Sequence, residues 1–502
     1  MNIKRAKEEI KDAISAYLYK NEYGEYEIPT VRQRPILLLG APGIGKTQIM
    51  EQIVRECHIG LVSYTITHHT RQSAIGLPFI SEKEYGGRKY AVTEYTMSEI
   101  VASIYDKMEQ TGLKEGILFI DEINCVSETL APAMLQFLQC KTFGNHAIPA
   151  GWLIVAAGNP PEYNKSVREF DVVTMDRVKK IQVEPDYDAW REYAVRENIY
   201  PAILSYLGAK PSHFYQMEST VDGRQFATPR GWEDLSRVLW VYERLGKQAD
   251  REVIIQYLQH ERVARDFANY LELYEKYRKE YPIEEIFQGN LDEGMLKKLS
   301  HASFDEKFSV VGLLLSYCTT AFRKVWQAQM RLEKLLGCLK EWKEALAGAH
   351  QGQPLVFLDD YLDAYDRELE RLLAGEQLNR EEEHLWRDTR EILGTLVLEM
   401  KKEGIQRGEQ AMEQVQESFR QQRDSYETLY QQGADTLERA FDFMEAAFAR
   451  GQEMVLFVTE LNTAFYPVWF LQEYDCERYY YYNKELLFQE KRQKLLKEIE
   501  EL

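Results

Sequence analysis

Three short clusters in this sequence hold residues able to bind and split a phosphate anhydride. Gly40-Ala41-Pro42-Gly43-Ile44-Gly45-Lys46-Thr47 fits the pattern G-x-x-x-x-G-K-[ST] at every fixed position. Glycines there let main-chain N–H groups curl around phosphates, Lys46 would reach the β- and γ-phosphates, and the Thr47 hydroxyl would sit on Mg²⁺. Asp121-Glu122 adds two carboxylates. Asp121 is placed to hold magnesium through water, and Glu122 to orient and deprotonate an attacking water. Gly158-Asn159-Pro160 adds an amide. Asn159 either hydrogen-bonds the γ-phosphate or the lytic water, or opens an Asn-Pro turn.

These clusters need elements that bring them to one edge. Each follows an apolar run: Ile36 to Leu39 before the glycine-rich loop, Ile117 to Ile120 before the carboxylates, and Trp152 to Ala157 before the amide. Runs of this kind suit strands buried on both faces of a parallel sheet, whose carboxyl ends meet at one crevice. The stretch from Thr47 to Val54 reads as the helix that points its positive end at the phosphates.

Together, Gly40 to Thr47, Ile117 to Asn124 and Ala156 to Pro160 resemble the AAA+ ATPases, and within them the MoxR-type branch of the dynein-related subfamily. In that branch the acidic motif commonly reads Asp-Glu-Ile-Asn, as Asp121-Glu122-Ile123-Asn124 does here, and the sensor strand ends in Asn-Pro. The resemblance implies an α/β P-loop core, an all-helical lid, and ATP with Mg²⁺ as ligands, hydrolysed to ADP and phosphate in a homo-oligomeric ring, a hexamer. It implies that Asn159 is sensor 1 and that Arg177 is the arginine finger acting on a neighbour's nucleotide, with Arg168 a nearby competitor and Val178 where the family usually shows phenylalanine. It also implies that Arg230, in the first turn of a helix capped by Thr228 and starting at Pro229, belongs to sensor 2. The branch's work is remodelling or maturing a protein client, often with a partner that contains a von Willebrand factor A domain.

Two insertions accompany the motifs. Gly76 to Val92 reads as strand, Gly-Gly turn and strand, with Tyr85, Arg88 and Tyr90 as candidate client contacts, and a second extra piece spans Thr142 to Pro149. His68 and His69, adjacent on a strand, point to opposite faces and receive no catalytic role. The expected organisation is an α/β nucleotide-binding domain over 1–185, a helical lid over 186–295 and a helical C-terminal extension over 296–502. In the extension, Gln422 and Gly433 interrupt the apolar seam that runs from Met412, which favours a short helical bundle. Pro354 to Asp360 superficially copies the magnesium strand but has no phosphate loop upstream, so it reads as a strand or helix start.

Composition limits the alternatives. With 62 basic against 81 acidic side chains the net charge is −19, which disfavours a surface devoted to nucleic acid. Six scattered cysteines without C-x-x-C pairing point to buried thiols in a reducing, cytoplasmic compartment, and no apolar stretch is long enough for a membrane span. Two other functions fit the same core: a nucleic-acid motor or restriction-type subunit, which needs a basic stripe of which Arg88-Lys89 is the local candidate, and a non-hydrolysing nucleotide-dependent scaffold, which an intact Glu122 opposes.

Overall fold

Apolar runs become strands here because a strand covered on both faces needs no polar alternation. The computed structural model describes the chain except residues 69–70, 144–145, 164–169, 221–222, 291, 348–353, 406, 450 and 485–502. Two compact units emerge, Met1–Ala189 with Asp363–Trp386, and Trp190–Leu362 with Arg387–Leu502.

The first unit runs α1 (Ile3–Leu18), β1 (Ile36–Gly40), α2 (Lys46–Cys57), β2 (Gly60–Thr65), α3 (Arg71–Ile75), β3 (Pro78–Tyr85), β4 (Arg88–Tyr95), α4 (Glu99–Thr111), β5 (Gly116–Asp121), α5 (Ala131–Cys140), β6 (Thr142–Phe143), β7 (His146–Ala147), β8 (Trp152–Gly158), α6 (Val172–Met175) and β9 (Lys179–Val183). Five strands form one parallel sheet in the order β2-β5-β8-β1-β9. Leu118, Ile120, Ile154 and Ala156 of the sheet join Ile100, Val101 and Ile104 of α4 and Met134, Phe137 and Leu138 of α5 in one buried cluster. Helix α1 is fastened to α2 by Lys7, which donates to Gln52 at 3.1 Å.

Both insertions form antiparallel hairpins. β3 and β4 pair from Pro78↔Tyr95 to Tyr85↔Arg88 around Gly86-Gly87, as the strand, turn and strand pattern predicts. The shorter β6–β7 pair anchors through Phe143, whose ring stacks on Phe137 at 3.8 Å. The two insertions touch: a ring nitrogen of His146 lies 3.1 Å from the carbonyl oxygen of Tyr95.

The second unit takes up the chain within α7 (Tyr187–Arg196) and continues with α8 (Pro201–Ala209), β10 (Gln216–Thr220), β11 (Gly223–Ala227), α9 (Pro229–Arg244), α10 (Arg251–Leu258), α11 (Glu261–Glu280), α12 (Ile283–Phe287), α13 (Glu293–Ser300) and α14 (Phe304–Ala347). Next come α15 (Pro354–Ala374), α16 (Arg380–Lys402), α17 (Gly408–Phe448), α18 (Gln452–Thr463) and α19 (Phe465–Glu473), with the middle stretch Asp363–Trp386 belonging to the first unit. The large helical C-terminal part is therefore as expected, but the 186–295 segment is not helical throughout. An antiparallel hairpin pairs Gln216↔Ala227 to Thr220↔Gly223 inside it.

Three further expectations meet the structure. Gln422 and Gly433 do not break their helix, and α17 runs unbroken for 41 residues against the 44-residue α14. Gly433 sits where Phe470 and Val325 approach to 3.0 and 3.1 Å of the position a Cβ would take, so it is a packing notch. Pro354 to Asp360 opens helix α15. The cysteines are all free, but only Cys318, Cys338 and Cys476 are buried; Cys57 and Cys125 are half-buried and Cys140 is exposed. Among the described residues no single helix is long and apolar enough to cross a membrane.

Candidate nucleotide-binding site

The loop between β1 and α2 turns through Gly43 at φ 75° and Gly45 at φ 89°, left-handed values that a side chain disfavours. Gly45 occupies the N-cap of α2 and offers no side chain to the first-turn amides. Helices α5, α8 and α12 likewise have no side-chain cap, whereas α1, α4, α9, α10 and α13 are each capped by a side chain, from Asn2, Ser98, Thr228, Asp250 and Asp292. An uncapped helix start has donors and a positive dipole end to offer an anion.

Lys46, the first residue of α2, is 8% exposed. Its Nζ donates to the carbonyls of Gly40 and Ala41 at 2.9 and 2.8 Å and to Asn159 Oδ1 at 3.0 Å. Asn159 emerges at the end of β8, next to β1 in the sheet, so strand order alone brings it to the loop. Thr47 Oγ1 donates to Asp121 Oδ2 at 3.1 Å, across from the end of β5. A hydroxyl and a carboxylate at this separation are hard oxygen donors of the type Mg²⁺ takes, alongside phosphate and water.

Glu122 follows in a left-handed conformation, φ 57°, with its N–H bonded to Asp121 Oδ1 at 2.8 Å. Thr67, beyond β2, donates from Oγ1 to Glu122 Oε2 at 3.0 Å and fixes the carboxylate. Behind both strands, Asn124 is buried and donates from Nδ2 to the carbonyl of Asn159 at 2.7 Å. Its Oδ1 has no partner among the described residues and lies 2.6 Å from where a Cβ on Gly158 would stand. Neither Thr67 nor the role of Asn124 is visible in the sequence. Thr67 sits at the tail of a strand-like run, and Asn124 stands out there only as part of the Asp-Glu-Ile-Asn string.

The chain thus brings together Gly40 to Thr47, Asp121, Glu122 and Asn159. Residues 36–173, from β1 through α6, match the family model described as "ATPase family associated with various cellular activities (AAA)". This stretch is similar to the AAA domain of that family. Members of that family are nucleotide-hydrolysing ATPases that generally bind ATP with Mg²⁺ and typically form oligomeric rings. No curated protein matches the chain.

Arg177, just past the AAA match and ahead of β9, is exposed, and its guanidinium donates to Gln139 of α5. Arg168 lies outside the described residues. Arg230 is exposed in the first turn of α9, where Thr228 Oγ1 accepts from the N–H of Gly231 at 3.3 Å. It belongs to the second unit. His68 ends a short 3-10 turn beyond β2, and His69 lies outside the described residues.

Proposed function

We propose that this chain is a MoxR-type AAA+ ATPase that works as a homo-oligomeric ring, a hexamer, and spends ATP on remodelling or maturing a protein client. One observation supports hydrolysis above all others. A lysine and a threonine of an uncapped helix start meet an amide and a carboxylate from two neighbouring strand ends, and a second carboxylate follows the first in sequence. In this reading Gly40, Ala41, Pro42, Gly43, Ile44 and Gly45 wrap the phosphates with main-chain amides while Lys46 binds the terminal ones. Thr47 and Asp121 would hold Mg²⁺, which would offset the negative charge of the phosphates. Glu122, steadied by Thr67, accepts a proton from water as the water oxygen bonds to the γ-phosphorus. The bond from that phosphorus to the bridging oxygen breaks, and its electron pair leaves with ADP. Asn159 reports whether the γ-phosphate is present. Arg177, exposed on its loop, suits a finger that neutralises charge on a neighbour's nucleotide, and Arg230 suits the sensor 2 position.

A protein client is favoured over nucleic acid by the β3–β4 hairpin. It exposes Phe79, Ile80, Tyr85 and Tyr90, and its acids and bases balance, Glu82, Glu84 and Glu94 against Lys83, Arg88 and Lys89. Lys83 pairs with Glu94, and Lys89 lies 3.6 Å from Glu82, so no basic stripe is left for a phosphate backbone. A partner with a von Willebrand factor A domain is supported by the motif resemblance alone. Six free thiols suit a reducing cytoplasm.

The test uses purified full-length chain with Mg²⁺ and labelled ATP. Turnover that disappears in Lys46→Ala, and a Glu122→Gln form that keeps ATP and captures a protein, are the expected results. Failure to retain ATP ends the ATPase reading, and a Glu122→Gln trap that holds only nucleic acid ends the client reading.

A further inference from the structure

Part of the C-terminal region belongs to the nucleotide-binding unit. Helix α15 starts in the second unit, but from Asp363 onward it lies within the first, together with the turn that follows and α16 as far as Trp386. That turn is fastened to main-chain carbonyls at the ends of core elements. Gln377 Nε2 donates to Ile59 O at 2.8 Å, between α2 and β2, and Arg371 Nη1 donates to Thr111 O at 3.1 Å, at the end of α4. Reciprocally, Lys107 of α4 donates to Ala374 O at 2.9 Å and lies 3.7 Å from the Glu376 carboxylate. Glu376 itself takes a left-handed backbone conformation, φ 57°.

Beside the turn lies a cavity of about 360 Å³. Leu373 at the end of α15, Glu376 and Leu378 of the turn, and Glu51, Arg55 and Thr47 of α2 are among the residues that line it. The carboxyl of Glu51 is pushed up by burial, pulled down by Arg55, and pushed up again by Glu376, so charges of the turn and of α2 act on each other. A mere apolar lid over α2 needs no side chain aimed at a particular carbonyl, whereas three such bonds fix the turn's position relative to α2, β2 and α4.

We propose that the α15–α16 turn is the surface through which the C-terminal helices read and set the state of the phosphate-loop helix. The inference rests on the ATPase reading of the site. Thr47 and Glu376 line the same cavity, so a shift of Thr47 on nucleotide binding would reach Glu376 through Glu51 and Arg55. Helices α15 and α16 both continue beyond the first unit, so a displacement of the turn is carried into them.

Amide exchange on the full chain tests this, using the Glu122→Gln form with Mg²⁺ and ATP. Nucleotide should slow exchange in 46–57 and also in 371–379, and the second effect should vanish in an added Arg371→Ala/Gln377→Ala pair. With Glu122 intact, that pair should change turnover by about fivefold or more. Glu376→Gln, which leaves the carbonyl bonds in place, serves the same readout if the pair does not fold. Protection of 46–57 with no response in 371–379, or wild-type turnover in the anchor variants, overturns the proposal. Absence of protection in 46–57 overturns instead the ATPase reading beneath it.

Discussion

Lys46 and Lys141 are buried almost equally in the same unit, 8% and 6% exposed, and each donates to main-chain carbonyls. Their surroundings separate them. Lys141 follows the end of α5 in a left-handed conformation and gives its Nζ to Thr30 O at 2.7 Å, and burial alone drives its pKa down to about 8. Lys46 opens a helix with no side-chain cap and meets two carbonyls and the Asn159 amide, and its neighbour Thr47 is bonded to Asp121. Burying a charge is thus not what marks a site. What marks it is convergence of oxygens from separate strands beside donors that the fold leaves for a ligand.

The sharpest test of that contrast is turnover. Lys46→Ala should lower ATP hydrolysis by about 100-fold or more, the scale for losing a donor to developing charge in a partly desolvated site. Lys141→Met, which keeps the apolar stem, should leave turnover within a few-fold of wild type. Equal losses from the two would show that burial, and not convergence, governs activity.

Stability tests the burial of Lys141. An unfolded lysine keeps a pKa near 10.5, while Lys141 in the fold titrates at about 8, so between those values the unfolded chain binds more protons. Stability therefore rises with pH across that window, by up to about 3 kcal/mol for a shift of this size. Below pH 8 both states are protonated and the cost of the buried charge is constant. Denaturant unfolding of wild type and Lys141→Met at pH 7.5 and pH 10.5 measures the difference: wild type should gain on the variant as pH rises. A gap that stays constant would mean that Lys141 is not held away from solvent.

The strands and the meeting of the glycine-rich loop with Asp121 and Asn159 were legible because each leaves residue types at fixed spacing. The run Ile36 to Leu39 is β1 short of Gly40, and Trp152 to Ala157 is β8 short of Gly158, because buried parallel strands tolerate little besides apolar side chains. What escaped depends on contacts distant in sequence. Glu122 is steadied by a threonine 55 positions away, and Ile59 by a glutamine 318 positions away. No local pattern marks such partners. Likewise Gly433 reads locally as a helix weakness, yet the approach of Phe470 and Val325 makes its missing Cβ an asset. The hairpin β10–β11 was hidden by apolar spacing on both sides that is helical.

Asn124 narrows the comparison to a single hydrogen bond. It touches neither the phosphate loop nor Glu122 in the contacts described above; it holds the carbonyl of Asn159 at 2.7 Å while Asn159 Oδ1 accepts from Lys46. Asn124→Ala removes that donor but also deletes Oδ1, a buried acceptor without a partner among the described residues. The two changes oppose each other in stability, so the unfolding free energy should move by only about 1 kcal/mol. Turnover should fall by about tenfold, since a freed Asn159 meets Lys46 and the terminal phosphate less often in the right geometry. The loss should appear in kcat more than in KM, because in the proposed function Lys46 and the loop amides would still bind ATP. A drop in stability without a change in kcat would make Asn124 a packing residue, and would restrict the converging set to the groups that face the loop directly.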